Sequence, residues 1–327
     1  MRNVAKNPLS EENKFEKLKE SRDDVLIIGP SGAGKGHLAR LLHTKSKKRV
    51  AKQFIHVNSA SVSSNIFESE MFGHIRGAFT GAFQNKEGYC SKVKDGDLFL
   101  DEIGDLSLGL QAKLLVLIND RIYMPVGSSE TQRFEGRIIA ATNKNLRKEI
   151  AEGKFREDLY YRLNNFVLNV KPLCEQKNKI PELVKLFLTE EDSDITLDES
   201  ALRYFLAQKW DGNIRQLKNI VKQIARYSDA SKKIMTKEDV VPYIEAEQVL
   251  ERYGETFENK DLSTLIRILH NRINGNLQVL IKAFIENAFT LNNENITVTA
   301  QRIGVKRKSL ERLLSKYKIS KNRAILS

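Results

Sequence analysis

Seven residues, Gly29-Pro30-Ser31-Gly32-Ala33-Gly34-Lys35, carry the clearest chemistry in the chain. They follow an apolar run, Val25 to Ile28, and precede a helical one. In that context the backbone N–H groups over the glycines and at the helix start can wrap phosphate oxygens, with Lys35 reaching the β and γ groups. Gly36 comes next, where such loops carry a Ser or Thr hydroxyl for magnesium. Downstream, Asp97-Leu98-Phe99-Leu100-Asp101-Glu102 is an apolar run ending in two carboxylates. At the carboxyl edge of a parallel sheet, Asp101 can hold Mg²⁺ through water while Glu102 polarises an attacking water. Together these are parts for nucleotide hydrolysis; a loop that merely binds nucleotide is the plainer alternative.

Gly77-Ala78-Phe79-Thr80-Gly81-Ala82 does no chemistry of its own. Small residues let such a loop bend, and Phe79 gives it grip on another protein. A hairpin that packs its own Phe is the alternative.

The elements that must position these residues are short apolar runs separated by helical stretches: Val25 to Ile28, Phe54 to Val57, Leu98 to Leu100, Arg137 to Ala140 and Phe166 to Val170. Near-continuous apolar strands alternating with helices predict an α/β domain whose parallel sheet is covered on both faces. After Pro172 no further strand is expected. Ile180 to Glu190, Asp198 to Gln208 and Ile214 to Tyr227 read as helices of a small lid, with Asp198 as an N-cap before the stripe Ala201, Leu202, Phe205 and Leu206. Glu245 to Lys260 reads as a helix end plus linker. Four helices follow, over Leu262 to Arg272, Leu277 to Phe289, Thr297 to Ile303 and Lys308 to Tyr317. The divisions are therefore an N-terminal tail or short helix over 1–20, an α/β subdomain over 21–173, a lid over 174–244, a linker over 245–261 and an all-α domain over 262–327.

The formal charge is +12 and uneven, since Asp261 to Ser327 holds 12 Lys/Arg against 4 Asp/Glu. Such an excess favours a polyanion, because neutralised phosphates release counterions; a solvated basic face is the alternative. Thr297 to Leu310 has helix-turn-helix spacing. Ala300 would pack inside, Gly304 would turn, Val305 and Leu310 would seat the second helix, and Lys306, Arg307, Lys308, Ser309 and Arg312 would face DNA. No apolar run reaches membrane-spanning length and the N-terminus has no apolar signal core, so the cytoplasm is expected. Cys90 and Cys174 read as reduced thiols, and His37, His43, His56, His74 and His270 form no metal pattern.

With a phosphate loop upstream and an acidic strand downstream, the Gly77 to Ala82 segment resembles the GAFTGA loop of bacterial enhancer-binding proteins, AAA+ ATPases that remodel sigma-54 RNA polymerase. The resemblance runs from about Asp24 to Asn219, and a weaker one links the last third to the Fis-type helix-turn-helix that ends many members. It implies an AAA+ fold with a helical lid, ATP and Mg²⁺ as cofactors, and sigma-54 holoenzyme, upstream double-stranded DNA and further copies of the chain as partners. Those copies form a dimer, through Leu277 to Phe289, and a hexameric ring. Asn58 matches the asparagine that restrains the catalytic glutamate, Thr142 and Asn143 match sensor I, and Arg215 matches sensor II. Arg156 and Arg162 match arginines offered to a neighbour's ATP. No receiver domain is read in the chain. Two departures stand out: Gly36, where the family commonly has glutamate, and Pro172 to Pro181, where Cys174, Asn178 and Lys179 replace the usual charges. Both favour the runner-up reading, a DNA-binding regulator whose nucleotide only controls assembly. A third reading is a remodeller of some other protein.

Overall fold

Alternation along the strands explains why their runs are apolar throughout. In the computed structural model, Leu26, Leu98, Leu100, Ile138 and Ala140 point to one face of a sheet, and Val25, Ile27, Phe99, Ile139 and Ala141 to the other. The structure describes residues 10–59, 64–228, 232–254, 282, 285, 286, 288, 289, 295–303, 305–317 and 319. The chain divides into two bodies, Met1–Glu175 with Gly212–Arg215, and Gln176–Asp211 with Gln216–Ser327.

The first body holds β1 (Val25–Ile28), β2 (Phe54–Asn58), β3 (Asp97–Asp101), β4 (Ile122–Tyr123), β5 (Gln132–Arg133), β6 (Arg137–Thr142) and β7 (Val167–Asn169). Its helices are α1 (Glu11–Glu20), α2 (Lys35–Thr44), α3 (Ser64–Phe72), α4 (Tyr89–Lys92), α5 (Leu108–Asp120), α6 (Leu146–Ala151) and α7 (Glu157–Leu163). Five strands form one parallel sheet in the order β2-β3-β6-β1-β7, while β4 and β5 make a small antiparallel ribbon. One face is covered by α3, α5 and α7 through Met71, Leu114, Leu117, Ile118 and Leu159. The other is covered by α1 and α2 through Leu18, Ala39 and Leu42. Each such Leu, Ile or Met side chain contributes about 1.5–3 kcal/mol on burial.

Residues 10–20 are a helix seated on the sheet, not a free tail. Ser10 caps α1 by accepting from the Asn13 N–H, and Glu11 accepts from the Asn169 N–H at 2.9 Å. At its other end Arg137 donates to the carbonyls of Leu18 and Ser21 while its Nε and Nη2 grip Asp97 at 2.8 and 3.0 Å. Asp97 is fully buried and also meets Arg49 at 2.8 Å and His43 at 2.7 Å. A buried carboxylate among paired donors fixes registry, since losing one partner would strand the others.

In the second body α8 (Ile180–Glu190), α9 (Glu199–Ala207) and α10 (Asn213–Tyr227, whose first turn lies in the first body) follow the expected helical pattern, with Asp198 capping α9, and a further helix, α11 (Lys237–Gly254), comes after them. One correction arises: strands do not stop after Pro172, because β8 (Thr196–Leu197) and β9 (Ile234–Met235) form a two-residue parallel pair. Residues 245–254 are the end of α11, so the helix end expected in Glu245 to Lys260 runs to Gly254, past the boundary at 245 drawn for the linker. The expected helix at 262–272 lies outside the described residues, as do the expected linker from 255 onward, most of 277–289 and the turn at Gly304. Near the end, α12 (Ile296–Arg302) and α13 (Arg307–Lys316) enclose Ala300, Leu310, Leu314 and Tyr317 with Ile285 and Phe289.

Candidate functional site

Sheet register assembles the site at one edge. Ile28, the last residue of β1, lies level with Thr142 and Asn169, and Asn58 lies level with Asp101. The chain leaving β1 then turns over the strand ends through Gly29 to Gly34 into α2. A Cβ at Gly29 would sit 2.7 Å from the Val170 carbonyl oxygen, and one at Gly32 only 2.3 Å from that of Gly212. Gly32 and Gly34 also take left-handed φ of 72° and 98°. Only glycine satisfies both demands at Gly32.

Lys35 is buried, its ammonium 3.2 Å from the Gly29 carbonyl, 3.4 Å from that of Pro30 and 3.3 Å from Glu102 Oε1. Glu102 is itself left-handed (φ 55°), and its Oε2 accepts from the Asn143 N–H at 3.1 Å. Asp101 Oδ1 accepts from the Glu102 N–H, and His56 Nε2 stands 3.7 Å from Asp101 Oδ2. Thr142 is buried, its carbonyl accepting from the Gly29 N–H and its hydroxyl from the Lys144 N–H. Arg215 Nη1 donates to Ser31 Oγ at 3.3 Å.

The loop, the carboxylate pair, Asn58, Thr142, Asn143 and Arg215 thus share one edge of the first body. Arg156 and Arg162 stand apart at α7: Arg156 immediately precedes the helix and binds Asp158 in a two-bonded pair at 2.7 and 3.0 Å, holding that carboxyl below its ordinary range. Exposed Arg162 reaches Asp24 electrostatically; burial pushes the Asp24 carboxyl up, while Arg121 and Arg162 pull it down. Among the described contacts, neither arginine is tied to Lys35, Asp101 or Glu102.

Two positioning residues escaped the sequence reading. Asn213 is buried at φ 56° and clamps the phosphate loop, accepting from the Leu173 N–H and donating to the Ser31 carbonyl at 2.9 Å. Gly212-Asn213 was the available signal, since Asn tolerates a left-handed turn. Gln111, fully buried on α5, donates to the carbonyls of Leu106 and Lys154 and accepts from the Arg156 N–H, which aims the start of α7. Nothing local announces it.

The Gly77 to Ala82 loop projects from a stem in which His74 pairs with both Lys86 and Val126. The Gly77 N–H donates to the Ala82 carbonyl at 2.9 Å and closes the loop; Gly77 and Gly81 have φ of 83° and 104°. Phe79 is 46% exposed and lies edge-on to the His74 ring at 5.0 Å. It therefore shares features of both expected arrangements. In the second body Lys306, Arg307, Lys308, Ser309 and Arg312 are exposed, with Arg307 paired to Glu311 at 3.0 Å. Cys90 is buried, its thiol pushed up by burial, and Cys174 is exposed; both are free. No described helix is long and apolar enough to cross a membrane.

The profile of the Sigma-54 interaction domain matches residues 5–169, and that of the AAA+ ATPase lid domain matches residues 175–255. The Nif-specific regulatory protein of Azotobacter vinelandii is 41% identical over 209 residues, 63% of this chain and 40% of that one. The regulatory protein AtoC of Escherichia coli is 35% identical over 308 residues, 93% of this chain and 64% of that one. The chain thus spans 40% and 64% of the length of these two relatives. Among solved structures, NtrX of Brucella abortus in complex with ADP has a TM-score of 0.64 at 28% identity, covering 94% of this chain and 68% of that one. The same protein in complex with ATP has a TM-score of 0.63.

Proposed function

The chain belongs to the sigma-54 interaction family of AAA+ proteins, and from that premise we propose that it is a sigma-54-dependent transcriptional activator. It hydrolyses ATP in a ring and works on sigma-54 RNA polymerase through Gly77 to Ala82. The observation that carries this reading is the Lys35–Glu102 pair at 3.3 Å, a phosphate-binding cation held against a water-polarising carboxylate. Phosphate oxygens entering the loop compete for Lys35 and free Glu102 to orient water, a role supported by its second anchor on the Asn143 N–H. Asn58, level with Asp101 at the end of the neighbouring strand, restrains Glu102; Thr142 and Asn143, at the end of β6, sense the γ-phosphate.

Asp101 fits as a magnesium ligand, because Mg²⁺ at such sites takes one or two carboxylates plus phosphate oxygens. The ion would neutralise charge on the β and γ oxygens. Arg215 on Ser31 closes the phosphate loop from the start of α10. Arg156 and Arg162, tied to neither Asp101 nor Glu102 of their own chain among the described contacts, serve a neighbour's ATP, which makes a ring the working form, taken here as a hexamer. The exposed cations at 306–308 and 312 on a two-helix unit support binding to upstream DNA through a Fis-type helix-turn-helix, with 277–289 as the dimer contact. DNA and polymerase as partners place it in the cytoplasm.

A second reading, nucleotide binding that only controls assembly, is favoured by Gly36. A Cβ there would meet Phe99 at an ordinary 3.6 Å, so space does not exclude the missing hydroxyl. Promoter opening by sigma-54 holoenzyme, with ATP or a non-hydrolysable analogue, tests both. Opening only with ATP supports the activator. Loss of both opening and hydrolysis favours the regulator, and hydrolysis with DNA binding but no opening points to another target.

A further inference from the structure

The largest apolar exposure in the first body falls just past the segment that carries the proposed contact. Phe83 is 86% exposed, the highest value among the large hydrophobic residues described, whereas Phe79 is 46% exposed and leans on His74. His74 is in turn fixed by Ser69, whose Oγ lies 2.8 Å from His74 Nδ1. One aromatic is thus tethered to the stem and the other stands in water. The backbone presents it: the Gly77 to Ala82 bond closes the loop one residue earlier, and the Phe83 N–H folds back onto the Gly81 carbonyl at 3.0 Å. On the adjoining turn, joined to the stem through His74 and Val126, Met124 is 55% exposed, and Ile75 at the foot of the loop is 38% exposed. Keeping a whole phenyl ring in water has a cost that a polar residue would not incur, and large aromatics at the centre of a patch are the residues that anchor protein contacts.

We propose that Phe83 is a second apolar anchor for sigma-54, extending the contact surface beyond Gly77 to Ala82 to a patch of Ile75, Phe79, Phe83 and Met124. The partner surface is an apolar segment of the sigma factor. This rests on the activator reading, since the loop's partner is taken from it. Phe79, already partly buried, has less area to contribute; Phe83 has nearly all of its area to give. Apolar burial involves no charge for salt to screen, so a moderate rise in salt should leave the Phe83 contribution little changed, unlike a contact made by surface charges.

The test is the affinity of purified sigma-54 for the full-length protein held with a non-hydrolysable ATP analogue, measured for the wild type, Phe83→Ser, Phe83→Leu and Phe79→Ser at two salt concentrations. Ring assembly is followed in parallel by light scattering, and thermal unfolding checks that each variant folds. Phe83→Ser should weaken binding about ten-fold at either salt, with Phe83→Leu recovering most of it. Wild-type affinity in Phe83→Ser, with Phe79→Ser weakened, overturns the proposal and leaves the activator reading intact. Impaired ring assembly in Phe83→Ser also overturns it, by assigning the ring to a subunit contact. Absence of sigma-54 binding by the wild type overturns the activator reading and this proposal with it.

Discussion

Glycine does opposite work in the two loops that matter most. In the phosphate loop, Gly29 and Gly32 are glycine because backbone carbonyls of Val170 and Gly212 leave no room for a Cβ. In the projecting loop, a Cβ at Gly77 or Gly81 would meet nothing within 4 Å, and only the left-handed φ restricts the choice. The first loop is glycine-rich to be held, the second to turn in open space. This difference suits a machine whose nucleotide site must be preorganised while its output element reaches outward.

Removing the chemistry of the held loop's partner should have the largest effect. Glu102→Gln keeps the size of the side chain and is expected to slow ATP turnover by about 10²–10⁴-fold while ATP still binds, as a turnover assay paired with nucleotide titration would read. Unchanged turnover would place the water-activating group elsewhere. Next come matched glycine substitutions. Gly32→Ala carries about 1–2 kcal/mol of left-handed strain plus the overlap with Gly212, so thermal stability and ATP affinity should both fall. Gly81→Ala carries similar strain with nothing to strike, and should be the milder change by calorimetry. Equal losses would erase the distinction between the loops. The smallest effect is expected from Gly36→Ser, within about 0.5 kcal/mol of wild-type stability but with a lower Mg²⁺ requirement in the turnover assay. A higher requirement would mean the added hydroxyl misses the ion.

Much of this arrangement was legible in residue order. The strands followed their apolar runs, with ends shifted by a residue or two, because a sheet buried on both faces demands continuous apolar sequence. The phosphate loop and the Asp101/Glu102 strand end were local signals and fell together at one edge. What stayed hidden depends on partners far along the chain. Asn213 acts through residues 31 and 173, and Gln111 through 106, 154 and 156. The buried Asp97, Arg137, Arg49 and His43 group exists only once the sheet and α2 are folded. Helix α1 was ambiguous because only Phe15 and Leu18 join the core from a mostly charged segment. The strands β8 and β9 span two residues each, too few to show a period. Phe83 lies one position past the motif that drew attention to its loop.

The most direct test of the division between a held nucleotide site and a projecting output loop is Thr80→Ala, with ATP turnover and sigma-54 promoter opening measured on the same preparation. Turnover within about two-fold of wild type together with abolished opening is the expected result. A parallel fall in both would contradict it, because Thr80 would then belong to the ATPase machinery and not to the element it drives.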